Sequence, residues 1–239
     1  MNLMRVAVII PAHDEAAILE RNAKRVSTWG EGAYGPDFAL VISENGSTDS
    51  TAWVARLMEK LLPDTLAVTS TLPGKGGAVK RGAAAVEADV YLMLDADLSA
   101  DFDSAEKLVA AVASGADAAI GSRRLPGAVV DRPLVRRLAT AAYALAARAA
   151  LGTRVRDLQC GCKAFSRRIR DGILPRVKDD GFFFDTEFLV RLGRSGFRVE
   201  EIPVGWTDRA SPGRASKVRL FSNGLDFLRK LASLRKDLG

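Results

Sequence analysis

Two aspartates one residue apart, Asp95 and Asp97, follow directly on the apolar run Val90, Tyr91, Leu92, Met93 and Leu94. If the chain stays extended past that run, both side chains project to the same side. Two carboxylates held that close repel each other unless a cation neutralises them. With oxygen donors and no histidine or cysteine beside them, the cation that suits them is Mg²⁺ or Mn²⁺, shared with substrate phosphates. The competing reading is a solvated acidic helix start, because Asp101 and Asp103 come next. Two earlier segments carry similar polar clusters, Pro11-Ala12-His13-Asp14-Glu15 and Glu44-Asn45-Gly46-Ser47-Thr48-Asp49. Each again follows an apolar run. Taken alone, Asn45-Gly46 could be only a turn, with Ser47 or Asp49 capping a helix. A glycine-rich stretch, Pro73-Gly74-Lys75-Gly76-Gly77, lacks the ending of a phosphate-binding Walker loop and is not a GxGxxG either. Its glycines still allow close backbone approach to a ligand, and Lys75 at a helix start suits a diphosphate.

The elements that must position these residues are legible from periodicity. Apolar runs over 6–10, 38–42, 66–68, 90–94 and 118–120 predict strands, several buried on both faces. Helical patterns lie between them, over 16–28, 50–62, 75–87 and 103–114, with Ser50 and either Asp103 or Ser104 as N-caps. Strand and helix in alternation predict an α/β fold, a mostly parallel sheet flanked by helices on both faces. Ligands of such sheets bind beyond the carboxyl ends of the strands, where the clusters fall. Past Gly121 the spacing predicts a helix over 133–151, a strand over 163–166, a helix over 185–193 and a strand over 198–204. Residues 207–217 read as a mobile loop, and 221–232 begin a basic amphipathic helix. On the 133–151 helix, Leu134, Leu138, Ala141 and Leu145 form a stripe that reads more readily as core than as membrane contact.

The chain of 239 residues is 48% hydrophobic and 27% charged, which excludes a disordered or disulfide-scaffold protein. Its longest charge-free stretches have ten residues, about half of the ~20 needed to span a bilayer. The amino terminus does not read as a signal peptide, and two cysteines one residue apart, Cys160 and Cys162, fit a reducing cytosol better than a zinc site. Residues 1–120 carry 10 Lys and Arg against 17 Asp and Glu, whereas 121–239 carry 25 against 12. The basic half therefore seeks an anionic partner. Few aromatics accompany these basic residues and no zinc-finger or RNA-recognition signature occurs, which disfavours nucleic acid. The missing GxGxxG after the first strand disfavours a dehydrogenase.

In order, PAHDE, ENGSTDST, GKGGAVKRG, DADLS, GSR, DLQCGCKAF, FFFDTEF and EIPVGW resemble family 2 glycosyltransferases of the GT-A fold. Within that family they most resemble the dolichyl-phosphate and polyprenyl-phosphate glucosyltransferase and mannosyltransferase branch. The resemblance covers 6–206 and leans to the glucosyl side. It implies a single GT-A catalytic domain over 1–206, with a nucleotide-sugar half (1–120) and an acceptor half (121–206). By the same resemblance Pro11, Ala12, His13, Glu15, Glu44, Asn45, Gly46, Ser47, Lys75, Asp95, Ala96 and Asp97 contact the donor, with Glu44 and Asn45 at the base or ribose. Asp95 and Asp97 hold the metal. Asp185 and Glu187 are catalytic carboxylates near the donor sugar, of the kind that serves elsewhere as general base for a hydroxyl acceptor, unless they only cap and support a helix. Arg123 and Arg137, with Arg136 as alternative, grip the acceptor phosphate, and Gln159 and Lys163 line that pocket. Arginine suits a phosphate because its fork donates two parallel hydrogen bonds.

The implied reaction moves a hexose, from UDP-glucose or GDP-mannose, onto an isoprenoid phosphate with inversion. The implied setting is cytoplasmic, at an anionic membrane surface on the inner face of the cytoplasmic membrane. The alternatives are a soluble family 2 enzyme with a hydroxyl acceptor, and a nucleotide-sugar binding protein without turnover.

Overall fold

The computed structural model describes residues 4–208 and 222–238. Seven strands form one sheet: β1 (Val6–Ala12), β2 (Phe38–Glu44), β3 (Thr65–Val68), β4 (Val90–Met93), β5 (Ala118–Ser122), β7 (Lys163–Ser166) and β8 (Val199–Pro203). Their order is β3-β2-β1-β4-β7-β5-β8. All neighbours are parallel except β7, which runs antiparallel between β4 and β5. Two short strands, β6 (Val129–Asp131) and β9 (Gly205–Thr207), pair apart from this sheet. The helices are α1 (Ala16–Tyr34), α2 (Thr51–Leu61), α3 (Lys75–Ala84), α4 (Phe102–Ala113), α5 (Leu134–Leu151), α6 (Arg167–Gly172), α7 (Phe184–Arg194) and α8 (Ser222–Leu238).

Alternation along β1 divides the core into two layers. Val6, Val8 and Ile10 pack with Leu19, Val26, Val54, Met58 and Leu108 of α1, α2 and α4. Ala7 and Ile9 face Val79, Ala83, Phe184 and Phe188 of α3 and α7, a layer that α5 and α8 extend through Ala147, Leu151, Phe227 and Leu231. Both faces are therefore covered, as a sheet of continuous apolar strands requires. Ala12 pairs with Glu44, and Ile9 with Met93, so the loops after β1, β2 and β4 leave the same edge.

Several sequence expectations shift. The first helix continues to Tyr34 because Gly30 lets it lie directly against Phe38; a Cβ there would come within 2.1 Å of that ring. The cap of α4 is Asp101, whose carboxylate accepts from the Ser104 amide at 2.8 Å, rather than Asp103 or Ser104. The strand expected over 198–204 is β8, and beyond buried Val204 a further short strand, β9, which the sequence did not indicate, pairs with β6. The α5 stripe is not core: Leu134, Leu138 and Leu145 are 65%, 61% and 69% exposed, and the helix instead buries Ala144, Ala147 and Leu151. Most of the loop expected over 207–217 lies outside the described residues.

Candidate functional site

Where β1 and β2 end, the two loops hold each other. The Asn45 side chain donates to the Ala12 carbonyl at 2.8 Å and accepts from the Gly74 amide at 2.9 Å, joining three loops. Glu44 accepts from the Ser47 amide at 2.6 Å, and Ser47 Oγ accepts from the Asp14 amide at 3.1 Å. Asp14, with φ +49°, accepts from the Thr48 and Asp49 amides. These backbone donors, Thr48 first, hold its carboxyl below the usual range despite a little burial. Gly46 is obligatory here, since φ is +66° and a Cβ would come within 2.9 Å of Pro73 N and Thr71 O. Glu44 and Asn45 are each only 3% exposed, and these hydrogen bonds make them braces of the loops. Glu15 is buried as well, its amide donating to Thr51 Oγ1. Pro11, His13, Gly46 and Ser47 remain partly open at the rim, with His13 Nδ1 2.8 Å from the Asn45 carbonyl.

At the sheet centre β4 ends at Met93 and the chain turns at the aspartates themselves: the Leu98 amide donates to the Asp95 carbonyl at 2.9 Å, and Leu98 takes φ +50°. Asp95 and Asp97 thus sit in a tight turn rather than on extended backbone. Asp97 accepts from the Ser99 amide at 3.1 Å, and buried Ala96 gives its carbonyl to Asn22. Asp95 faces Lys75 Nζ at 2.9 Å. The same ammonium reaches Asp185 at 3.1 Å, and Lys163 Nζ reaches the other Asp185 oxygen at 2.7 Å and the Cys160 carbonyl. Asp95, Lys75, Asp185 and Lys163 therefore alternate in sign along one line, buried at Asp185 and Lys163 and partly open at Asp95. Burial opposes the charge on Lys75, yet Asp185 and then Asp95 outweigh it and raise its pKa. Burial likewise pushes the Asp185 carboxyl up, but Lys163 and then Lys75 hold it below its usual range. Gly161 lets the 159–163 segment pass, as a Cβ would fall 1.7 Å from Asp95 Oδ2. No cluster of three or more His, Cys, Asp or Glu able to hold a metal occurs among the described residues. The turn offers two hard carboxylates, both partly exposed, which fits Mg²⁺ or Mn²⁺ completed by diphosphate oxygens.

Three further expectations change. The amides of Gly76 and Gly77 are taken by the carbonyls of Gly181 and Asp180, at 3.3 and 3.0 Å, so these glycines admit protein backbone, not a ligand. Glu187 does not join Asp185: its carboxylate accepts from the Lys178 and Asp179 amides at 3.0 and 2.9 Å and pairs with Arg191 at 2.7 Å. Lys163, 1% exposed, is the buried partner of Asp185, not an open cation for an acceptor.

On the acceptor side, Arg123 is bidentate to buried Asp157 at 2.7 and 2.8 Å and stacks over Trp206 at 4.6 Å. Burial disfavours its charge, but Asp157 more than compensates and raises its pKa. Arg136 and Arg132 both donate to one oxygen of Asp208 at 3.1 Å. Arg137 is exposed on α5, and Gln159 is partly buried near Cys160. Asp157, Arg132 and Asp208 were not singled out from the sequence. Asp157 opens the DLQCGCKAF segment, which was the signal available; nothing local marks Asp208.

The chain is similar to known proteins over most of its length. Residues 7–174 match the family described as Glycosyl transferase family 2. Over 214 residues the chain is 38% identical to Glycosyltransferase AglD of Haloferax volcanii, covering 85% of this chain and 33% of that protein. It is 29% identical over 226 residues to the dolichyl-phosphate beta-glucosyltransferase of Saccharomyces cerevisiae, covering 84% of this chain and 66% of that one. It is 30% identical over 217 residues to the polyprenol monophosphomannose synthase of Mycolicibacterium smegmatis, covering 86% and 78%. The chain thus spans a third of the first relative and just under two thirds of the second. Glucosyl-3-phosphoglycerate synthase from Mycobacterium tuberculosis, solved with Mn²⁺, UDP and glucosyl-3-phosphoglycerate, superposes with a TM-score of 0.68 at 20% identity, over 98% of this chain and 80% of that one.

Proposed function

This chain belongs to glycosyl transferase family 2, and from that premise we propose that it transfers a hexose from a nucleotide diphosphate sugar to a polyprenyl phosphate, with inversion at the sugar carbon. The fold is the GT-A fold that the motifs led us to expect. Relatives named as dolichyl-phosphate glucosyltransferase and polyprenol monophosphomannose synthase support this acceptor class. UDP-glucose is the donor we favour, since a fold neighbour is solved with UDP; GDP-mannose is the alternative.

The observation that carries the acceptor reading is the state of Asp185. A carboxylate held between two ammonium groups, with its pKa lowered, is a poor proton acceptor. A hydroxyl acceptor needs a base. A phosphate monoester has its second pKa near ~6 and arrives at neutral pH mostly ionised. It needs placing, not deprotonating. In this reading residues 1–120 hold the donor and 121–206 the acceptor. Lys75 and Lys163 keep Asp185 ionised and fixed beside the donor sugar, and Arg123, kept in place by Asp157 and Trp206, presents its charge toward the acceptor phosphate together with Arg136 or Arg137. Asp95 and Asp97 would hold Mg²⁺ or Mn²⁺, whose charge would offset that of the departing diphosphate. The acceptor's lipid places the enzyme at an anionic membrane surface, and the outward face of α5 is the part we assign to it: Leu134, Val135, Leu138 and Leu145 are all more than 60% exposed, with Arg137 and Arg148 along one border.

Incubation with UDP-glucose or GDP-mannose, a short polyprenyl phosphate and Mn²⁺ or Mg²⁺ tests the reading. The expected product is a lipid-linked glucosyl phosphate of inverted configuration, formed with metal and lost on chelation. Transfer only to a hydroxyl compound, or to no acceptor, overturns it.

A further inference from the structure

Four acidic residues fall within nine positions between β7 and the body of α7: Asp179, Asp180, Asp185 and Glu187. Each is neutralised from a different place. Asp180 pairs with Lys80 of α3 at 2.5 Å, Glu187 with Arg191 of its own helix, and Asp185 with Lys75 and Lys163. Asp179 pairs with Lys230 of α8 at 2.7 Å. The last of these pairs reaches the reaction centre through backbone. One oxygen of Asp179 accepts from the Gly181 amide at 2.8 Å while the other meets Lys230, so the carboxylate fixes the 179–181 turn only while it is held itself. That turn supplies the Asp180 and Gly181 carbonyls that accept from Gly77 and Gly76. The first turn of a helix has no acceptors of its own for these donors, so the loop is what caps α3. Lys75 is the first residue of α3 and carries the ammonium shared by Asp95 and Asp185.

We propose that Lys230 is a positioning residue for Lys75: α8 holds the 178–181 loop, and the loop holds the amino end of α3. Helix α8 is itself anchored, with Phe227, Leu231 and Leu234 buried and Phe227 packed on Tyr143 and Phe183 at 5.2 and 6.0 Å. A second tie, from Asp237 to Lys178 and Arg191, fixes the other end of the same loop. Without Lys230, Asp179 stands uncompensated beside the buried carboxylate of Glu187, whose Oε2 accepts from its amide at 2.9 Å. The turn then loosens and releases the amides of Gly76 and Gly77. This inference concerns the unliganded protein and does not depend on which acceptor is used.

Hydrogen exchange on the full chain without donor, resolved at Gly76 and Gly77, reads the coupling directly. The pair is only half-buried, with its lysine partly in solvent, which keeps the scale modest, so K230M speeds exchange at the two amides by about two- to fivefold, and K230E by more. K230R restores protection, as does the double exchange K230D with D179K. Exchange in β1 and β4 stays unchanged. In steady-state assays kcat falls with the loss of protection while the donor KM changes little. Unchanged exchange at Gly76 and Gly77 in both K230M and K230E overturns the proposal. So does an equal rise throughout β1 and β4, which marks a merely structural role. If K230E does not fold, K230M and the swapped pair still decide. Failure of the acceptor assignment would leave the exchange result untouched.

Discussion

Asp185 carries two cations on one carboxylate, and that fixes how the proposed transfer should respond to pH. Its folded pKa is lowered, so the pairing is fully present above the unfolded value of about 3.9 and is lost only as pH falls through the still lower folded value. Protonation of Asp185 therefore cannot produce an activity limb near neutrality. We expect kcat/KM for the phosphate acceptor to fall below pH about 6 with the acceptor's own second ionisation. A phosphonate acceptor of higher pKa should move the limb upward. In Asp185→Asn the limb should stay in place although kcat drops; a limb that vanishes would make Asp185 a base. The variant also leaves Lys75 and Lys163 short of a partner, and removing one member of a buried pair costs about 3–5 kcal/mol, so a denaturation curve must accompany the kinetics. The periodicity of a helix could have separated Asp185 from Glu187 beforehand: two residues apart at 100° each, they point to opposite sides. The structure shows that divergence, with one carboxylate on the lysines and the other on the 178–179 amides.

At the level of elements, the contact between α3 and the 178–181 loop is only as close as its glycines permit. A Cβ on Gly76 would lie 2.5 Å from Phe184 Cβ and 2.7 Å from the Asp179 carbonyl, and neither can swing away. Gly76→Ala should cost about 1–3 kcal/mol in a urea titration, in the range of overpacking, and should lower kcat as Lys75 shifts. Gly32→Ala is the matching control. Gly32 lies in α1 with nothing within 4 Å of its Cβ position, so that change should stabilise by about 0.5–1 kcal/mol through helix propensity. The elements themselves were legible because strand and helix periods differ so clearly in the first half. The direction of β7 was not, since a four-residue strand carries no mark of its polarity; β4 and β5 on either side decide it.

For the whole molecule, the proposed membrane contact would join the charge asymmetry to the outward face of α5. No helix of the described residues is long and apolar enough to cross a membrane. The α5 face nevertheless presents four large apolar side chains to solvent. Flotation with anionic liposomes should capture the protein. Leu138→Glu and Leu145→Glu should each weaken capture roughly tenfold or more, since burying a leucine is worth about 1.5–3 kcal/mol. Stability should change by less than about 0.5 kcal/mol, because both side chains lie outside the core. Capture should also weaken with salt, and Arg137→Glu should reduce it further. Undiminished flotation of the double leucine variant would place the membrane contact elsewhere. The sequence had this stripe as core, because an apolar period does not say which side of a helix the body of the protein occupies.

Local order alone determined the strand and helix succession of the first 120 residues, the motif loops at one sheet edge and the family they resemble, since periodicity and short-range turn chemistry are written in neighbouring residues; β6, α6 and β9, short and in the second half, were not read from it. Only the tertiary structure joined Lys75, Asp95, Lys163 and Asp185 across 110 positions, paired Arg123 with Asp157, and turned Glu44, Asn45 and Glu187 inward as braces. The physical reason is that a charged side chain takes its partner from whatever the fold brings within hydrogen-bonding distance once water is excluded, and that choice is made between elements, not along them.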